Sequence, residues 1–261
     1  MSVLEAIIMG ILQGLTEFLP VSSSGHLELA NVLFGIEGES NLQFTMAVHF
    51  ATVLSTITVF WKPIGELLRG VFRFRMNDET RYVLNIIVSM IPIGLVGLFF
   101  KDEIENLFTG NLRLVGSMLL LTACLLFFAD RAKPRTGKIT TGRAFVIGIA
   151  QACAALPGLS RSGATISTGL LLGVQRSEVS KFSFLMVLIP IIGMNFLELL
   201  DMPAAGSSIG TWQLVGGSVA AYVTGTLACR WMIGIVNRGK LKWFALYCAL
   251  VGLVSIITFF C

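Results

Sequence analysis

Charged residues are scarce in this chain of 261 amino acids: they make up 13% of it, whereas 55% is hydrophobic and the mean hydropathy is +0.82. So little charge excludes an ordinary soluble domain and is typical of a polytopic membrane protein. The net charge of +4 does not indicate nucleic-acid binding, because the basic residues fall in short loops between apolar runs. We therefore expect membrane lipids around the protein and no nucleic-acid partner.

The sequence also lacks paired cysteines and a basic leader. Its five cysteines are scattered, mostly within apolar segments, and none forms a CxxC pair. This distribution is typical of inert packing residues rather than of redox or metal sites. Glu5 and no basic residue stand before the first apolar run, which argues against a cleaved signal peptide.

Long apolar runs are abundant. Six segments of 16 to 21 residues are long enough, some of them marginally, to cross a membrane core about 30 Å thick. They are approximately Met46–Trp61, Arg81–Phe100, Asn111–Ala129, Phe182–Leu200, Trp212–Met232 and Lys242–Phe260. Two further segments, Val3–Gly35 and Arg143–Gly173, are apolar at both ends but interrupted by Pro, Gly and Ser. Because broken backbone at membrane depth needs protein or water around it, both are interpreted as re-entrant helical hairpins.

The charges in the loops predict an orientation. With six spans and two hairpins, sixteen basic residues fall on one side of the membrane, and the alternate loops are poor in Lys and Arg. By the positive-inside rule that side is the cytoplasm, so both termini are expected outside. The sixteen are Lys62, Arg69, Arg73, Arg75, Arg81, Arg131, Lys133, Arg135, Lys138, Arg143, Arg176, Lys181, Arg230, Arg238, Lys240 and Lys242.

The chain contains a weak internal repeat with an offset of 138 positions. Residues 1–130 and 140–261 are interpreted as two repeats of one membrane domain, each with one hairpin and three spans. Since three is odd, the second repeat is expected upside down, with a site near the midplane where the two hairpins meet. Gly10, Ile11, Gln13, Ser22, Ser24, Gly25, Leu33, Gly35 and Phe44 recur as Gly148, Ile149, Gln151, Ser160, Ser162, Gly163, Leu171, Gly173 and Phe182.

The polar turns of the hairpins, 20–26 and 157–165, predict an anion site. Each returning half-helix begins at its turn, so its free N–H groups and positive dipole end point into the site. Arg161 adds a fixed cation whose geometry suits phosphate oxygens. Its counter-ion is either Glu17 or a ligand phosphate, and a purely structural Arg161–Glu17 pair is the alternative. The predicted substrate-binding residues are Arg161, Ser160, Ser162, Gly163, Thr165, Ser24 and Gly25.

Other polar residues supply candidates for catalysis. Gln13 and Glu17 are spaced i, i+4 and share a helix face, where their oxygens suit Mg²⁺ or Ca²⁺ held together with substrate phosphates. His26 is a candidate general acid or base. The serines at 22–24 are candidate nucleophiles if a base is adjacent, although a hydroxyl in a turn is usually a cap. His49, near the outer end of a span, is a candidate to line the site, but a hydrogen-bonded structural role is favoured.

At these residues the chain resembles the undecaprenyl-diphosphate phosphatase family, the bacitracin-resistance type of integral membrane phosphatase. The family's first motif, [E/Q]-x-x-x-E followed by L-P-[V/I]-S-S-[S/T]-G-H, matches Gln13, Glu17 and residues 19–26. Its second, P-G-x-S-R-S-[G/x]-x-T, matches residues 157–165. The resemblance implies hydrolysis of the C55 isoprenoid diphosphate to the monophosphate carrier used in cell-wall synthesis. With the orientation predicted from the loop charges, we expect the site on the outer face of the bacterial inner membrane.

The resemblance also implies individual roles. Ser23 corresponds to the nucleophile, Arg161 to the residue that binds diphosphate, and Glu17 and His26 to catalytic residues. A divalent cation is implied, but Gln13 stands where many members have Glu, so this chain offers one negative charge fewer to a metal.

A secondary transporter or flippase for an anionic lipid is the alternative function, because inverted repeats with broken helices are transporter architecture. The combination of Ser23, His26, Glu17 and Arg161 favours the phosphatase, since a carrier needs an anion pocket but no nucleophile. The sequence leaves the oligomeric state open, a homo-oligomer included.

Overall fold

The computed structural model describes residues 1–35, 39–107, 111–133, 135–193 and 209–260. Within these ranges the regular structure is helical, apart from one isolated β-bridge between Gly137 and Val174. The helices are α1 (Val3–Phe18), α2 (Ser23–Phe34), α3 (Glu39–Val71), α4 (Asp78–Phe99), α5 (Lys101–Glu105), α6 (Leu112–Arg131), α7 (Thr141–Cys153), α8 (Arg161–Leu171), α9 (Arg176–Met186), α10 (Thr211–Arg238) and α11 (Lys242–Phe260). The chain is also helical over 188–193.

Four helices of the described chain are long and apolar enough to cross a membrane. They lie within α3, α4, α6 and α10, and α11 adds a shorter apolar stretch, Lys242–Thr258. Large apolar side chains also cover the outside, including Leu98 and Trp212, which are more than three-quarters exposed. Such a surface is compatible with lipid rather than water. The prediction of an all-α, multi-pass membrane protein is confirmed.

One predicted span has a different form. A continuous apolar run was expected over Phe182–Leu200, but α9 begins at Arg176, ends at Met186, and is followed by a turn at Val187. Pro190 accounts for the interruption, because its ring clashes with the carbonyl four residues earlier, that of Met186. Residues 194–200 of the predicted span lie outside the described residues.

The two segments expected to be interrupted are helix–turn–helix units. We call α1 and α2 with residues 19–22 the first unit, and α7 and α8 with residues 154–160 the second unit. The first helix of each unit packs on a helix from the opposite half of the chain: α1 on α10, and α7 on α4.

Glycines permit both of these packings. A side chain on Gly10 would collide with the carbonyl of Gly217, and one on Gly148 would collide with that of Ser89. Gly10 and Gly148 are themselves counterparts in the repeat. In both units, a glycine therefore allows the first helix to pack closely against a helix from the opposite half of the chain.

Candidate active site

The turn of the first unit ends in a strained residue. Ser22 caps α2: its hydroxyl accepts a hydrogen bond from the Gly25 N–H at 3.2 Å. Its backbone has φ 71° and ψ 99°, a left-handed conformation that is costly for a residue with a side chain. Ser23 follows as the first residue of α2. The strain therefore lies directly beside the predicted nucleophile.

The turn of the second unit has the same cap in a relaxed backbone. The Ser160 hydroxyl accepts from the Gly163 N–H at 3.1 Å, while Ser160 itself has φ −69° and ψ 119°. Arg161 follows as the first residue of α8. Both helices thus begin in the manner that their Ser-rich turns predict.

The two turns touch each other. The Ser162 hydroxyl donates to the Leu19 carbonyl at 3.2 Å, which links the second unit to the first. A Cβ placed on Gly25 would lie 3.2 Å from the Cα of Gly158. The backbone N–H of Ser160 donates to a hydroxyl of α6, that of Thr122, at 3.0 Å. The expected meeting of the two hairpin turns is thus present in the structure.

Glu17 lies at the centre of this meeting point. The Ser23 hydroxyl donates to Glu17 Oε2 at 2.7 Å, and the Gln13 amide donates to the same oxygen at 3.0 Å. A guanidinium nitrogen of Arg161 lies 3.8 Å from Glu17 Oε1. The Glu17 side chain is only 8% exposed, whereas that of Arg161 is 31% exposed. The carboxylate is therefore fixed between a hydroxyl and a cation that remains accessible.

The remaining predicted binding residues lie close to this pair. The hydroxyls of Ser24 and Ser22 are 3.3 Å apart, and those of Ser162 and Ser160 are 3.4 Å apart. Thr165 donates to the Arg161 carbonyl at 2.8 Å and fixes the first turn of α8. In the described structure these groups lie at the N-terminal ends of α2 and α8. That they bind substrate stays a prediction.

His26 does not point at the Ser23–Glu17 pair. Its Nδ1–H donates to the Ser22 carbonyl at 2.8 Å, and its Nε2 lies 2.8 Å from the hydroxyl of Tyr247 in α11. The two rings are stacked, with centroids 5.6 Å apart. Both nitrogens of His26 thus have partners other than Ser23, so its role as an acid or base stays a prediction.

Of two further residues at the site, His49 was expected to have a structural role and Ser183 was missed by the sequence reasoning. His49, interpreted as structural, places Nε2 3.8 Å from Glu17 Oε2, and its Nδ1–H donates to the Thr45 carbonyl at 2.8 Å. Ser183 lies 2.6 Å from the hydroxyl of Thr165. The sequence signal for His49 is a histidine within an apolar run. Ser183 offered only its position after Phe182, a residue that recurs in the repeat.

The structure also bears on the predicted divalent cation. No group of three or more His, Cys, Asp or Glu residues in the described ranges is able to hold a metal. Gln13 is fully buried, and its Oε1 has no hydrogen-bond donor. Because the Gln13 nitrogen rather than this oxygen contacts Glu17, a hard cation shared by the two side chains requires the amide to turn over and the other ligands to come from phosphate and water. This arrangement does not fit a closed, all-protein metal site.

A small pocket opens beside Glu17, and its lining is polar on one side and apolar on the other. The polar side chains belong to Glu17, Arg161, Ser162, Thr52, Thr56 and Ser183. The apolar ones belong to Phe18, Val53, Phe184, Val187, Leu188 and Ile191. This division suits a ligand with an anionic head and a hydrocarbon body.

Comparison with known proteins agrees with the two motifs. The family described as "Bacitracin resistance protein BacA" matches residues 6–254. A protein of Bacteroides fragilis named undecaprenyl-diphosphatase is 58% identical over 257 residues, covering 97% of both chains. The protein of the same name from Bacteroides thetaiotaomicron is 57% identical over 99% of both chains. That from Salinibacter ruber is 40% identical over 95% of this chain and 96% of its own. The predicted family resemblance is confirmed.

Proposed function

The chain belongs to the bacitracin resistance protein BacA family, and on that premise we propose that it hydrolyses undecaprenyl diphosphate to undecaprenyl phosphate and phosphate. One observation of this structure carries the proposal: the Ser23 hydroxyl donates to the buried Glu17 carboxylate at 2.7 Å, with Arg161 on the other side of that carboxylate. A carrier needs no such hydroxyl–base pair, so this contact favours hydrolysis over transport.

Arg161 and the beginnings of α2 and α8 bind the diphosphate in this proposal. The 3.8 Å separation from Glu17 is long for a hydrogen bond, so the guanidinium is free to make paired contacts with phosphate oxygens. The N-terminal ends of the two helices add positive partial charge. The hydrocarbon chain of the bound substrate then lies along the apolar side of the pocket.

Ser23 is the proposed nucleophile and Glu17 the proposed base. Ser23 Oγ attacks the terminal phosphorus while its proton passes to Glu17, and the bond from that phosphorus to the bridging oxygen breaks. Undecaprenyl phosphate leaves with the bridging oxygen, which takes the proton from Glu17 and so restores the carboxylate, and the terminal phosphoryl group remains on Ser23. Water, deprotonated by Glu17, then attacks the phosphoserine, and phosphate leaves as Ser23 regains a proton.

A divalent cation, Mg²⁺ or Ca²⁺, is proposed to be held by Glu17 and the Gln13 amide oxygen together with the substrate. When bound, such a cation neutralises charge on the phosphates during transfer. Because the protein offers only one carboxylate and one amide, we expect binding to be weak without substrate and EDTA to lower activity.

We propose that the protein has six spans and two re-entrant hairpins in an inverted repeat, with residues 1–130 and 140–261 as its halves. The reciprocal packing of α1 on α10 and α7 on α4 supports this arrangement, as do the matched caps of Ser22 and Ser160. The loop charges support both termini and the site on the outer, periplasmic side of the inner membrane. There the enzyme recycles the lipid carrier for cell-wall synthesis.

The orientation has its own test. A reporter that is active only in the cytoplasm, fused after residue 261, is expected to stay silent, whereas one active only in the periplasm is expected to report. Activity of the cytoplasmic reporter at this position would contradict the inverted repeat.

Hydrolysis is tested with purified protein in detergent and a long-chain prenyl diphosphate, measuring phosphate release with and without EDTA. Ser23→Ala is expected to abolish release. Ser117→Ala is the matched control, because that hydroxyl, on the exposed side of α6, bonds only a carbonyl of its own helix. Binding of the lipid without phosphate release by the wild type would favour a carrier.

A further inference from the structure

Ser22 holds a conformation that needs support from its surroundings. Among the described residues other than glycine, only Ser22 and Phe74 have a positive φ. Phe74 is 89% exposed, whereas Ser22 is 3% exposed. A strained backbone of this kind persists only where neighbouring contacts fix it, and it is often found at functional sites. Because Ser22 directly precedes Ser23, whatever fixes Ser22 also sets the direction of the Ser23 hydroxyl.

His26 supplies that support from the next turn of α2. The Ser22 carbonyl accepts two hydrogen bonds from His26, one from the ring Nδ1–H at 2.8 Å and one from the backbone N–H at 3.2 Å. A carbonyl oxygen only accepts, so the ring proton is on Nδ1 and Nε2 is left as an acceptor. The side chain of His26 thus fixes the strained peptide through the one tautomer that this contact allows.

Tyr247 in turn fixes the ring of His26. Its hydroxyl donates to Nε2 at 2.8 Å, and the two rings are stacked with an angle of 11° between their planes. Tyr247 lies in α11, 221 residues along the chain from His26. The contact therefore ties the turn that presents Ser23 to a helix at the other end of the sequence.

We propose that Tyr247 is a positioning residue for the phosphatase reaction: through His26 it fixes the strained Ser22 turn that aims Ser23 at Glu17. Tyr247 touches none of the groups proposed to react, and this role rests on the proposed function. The second unit supports the assignment by contrast. Ala164 stands where the first unit has His26, and Ser160, which precedes Arg161 rather than a nucleophile, is relaxed.

The first test compares two tyrosine variants. Tyr247→Phe keeps the stacked ring and removes only the hydroxyl. Tyr222→Phe is the control, because its hydroxyl contacts Thr58 at 3.0 Å and neither residue lines the pocket beside Glu17. We expect Tyr247→Phe to lower kcat roughly tenfold with KM unchanged, since Arg161 still binds the diphosphate. The control is expected to match the wild type. A wild-type kcat for Tyr247→Phe would overturn the proposal.

The second test needs no catalytic turnover. The chain has two histidines, so ¹⁵N-histidine NMR gives two ring systems, assigned by their presence or absence in His49→Gln. In the wild type, His26 is expected to be protonated on Nδ1, and its Nε2 signal is expected to move in Tyr247→Phe but not in Tyr222→Phe. Protonation of His26 on Nε2 in the wild type would overturn the proposed role of Tyr247, even if the variant failed to fold. Absence of phosphate release by the wild type would instead reject the proposed function. The NMR result would still show whether Tyr247 and the Ser22 carbonyl fix the ring of His26.

Discussion

The turn before Ser23 and the turn before Arg161 occupy equivalent places in the repeat, 138 residues apart, but differ in backbone and in chemistry. Both are capped by a serine hydroxyl that accepts from a glycine N–H. Only the first is strained, at Ser22, and only the first is held by a histidine. The same cap thus occurs in both turns, and the residue that follows it is Ser23, the proposed nucleophile, in the first and the cation Arg161 in the second.

The largest expected effect comes from removing the proposed nucleophile. Ser23→Ala should lower phosphate release by a factor on the order of a thousand or more, while diphosphate binding survives through Arg161. Ser24→Ala, which removes only a contact within the turn, should cost far less. Phosphate release and lipid binding are measured at matched expression. Normal turnover by Ser23→Ala would point to a water activated by Glu17.

Changing the cation of the second turn should have the next largest effect. Arg161→Lys keeps the charge but loses the planar pair of donors, so kcat/KM should fall on the order of a hundredfold. Lys181→Arg, which changes a cation on α9 in the reverse sense, serves as the control. Near-wild-type kcat/KM for Arg161→Lys would show that Arg161 is structural.

The difference in strain should appear as a smaller effect on stability. Ser22→Gly and Ser160→Gly both remove a cap hydroxyl, but only the first relieves a positive φ. We therefore expect Ser22→Gly to leave the protein about 1 kcal/mol more stable than Ser160→Gly. Thermal unfolding of both variants in the same detergent measures this difference, and equal losses would remove the distinction between the turns.

The sequence predicted those parts of the site that depend on local patterns. Ser-rich turns after apolar runs predicted the caps at Ser22 and Ser160, and the repeat predicted that the two turns would meet. The i, i+4 spacing placed Gln13 and Glu17 on one helix face, where they now share a hydrogen bond. These predictions needed only helix geometry and the offset of the repeat.

Other features depend on contacts that no local pattern encodes. The Nε2 atoms of His26 and His49 face Tyr247 and Glu17, which lie on other helices. The end of α9 at Met186 is decided by Pro190, which a hydropathy pattern treats as one more residue in an apolar run. Tertiary partners and backbone sterics, rather than composition, determined what was missed.

The contact between Gly25 and Gly158 limits which substitutions the two turns accept. The backbones of the two turns lie so close that a methyl group added at Gly25 meets Gly158, and one added at Gly158 meets the backbone of Val115. Neither glycine is therefore able to gain a side chain without movement of its neighbours. The beginning of α2 is tied to the second turn, and the second turn to α6, so the separation of Ser23 from Arg161 depends on two positions that carry no side chain.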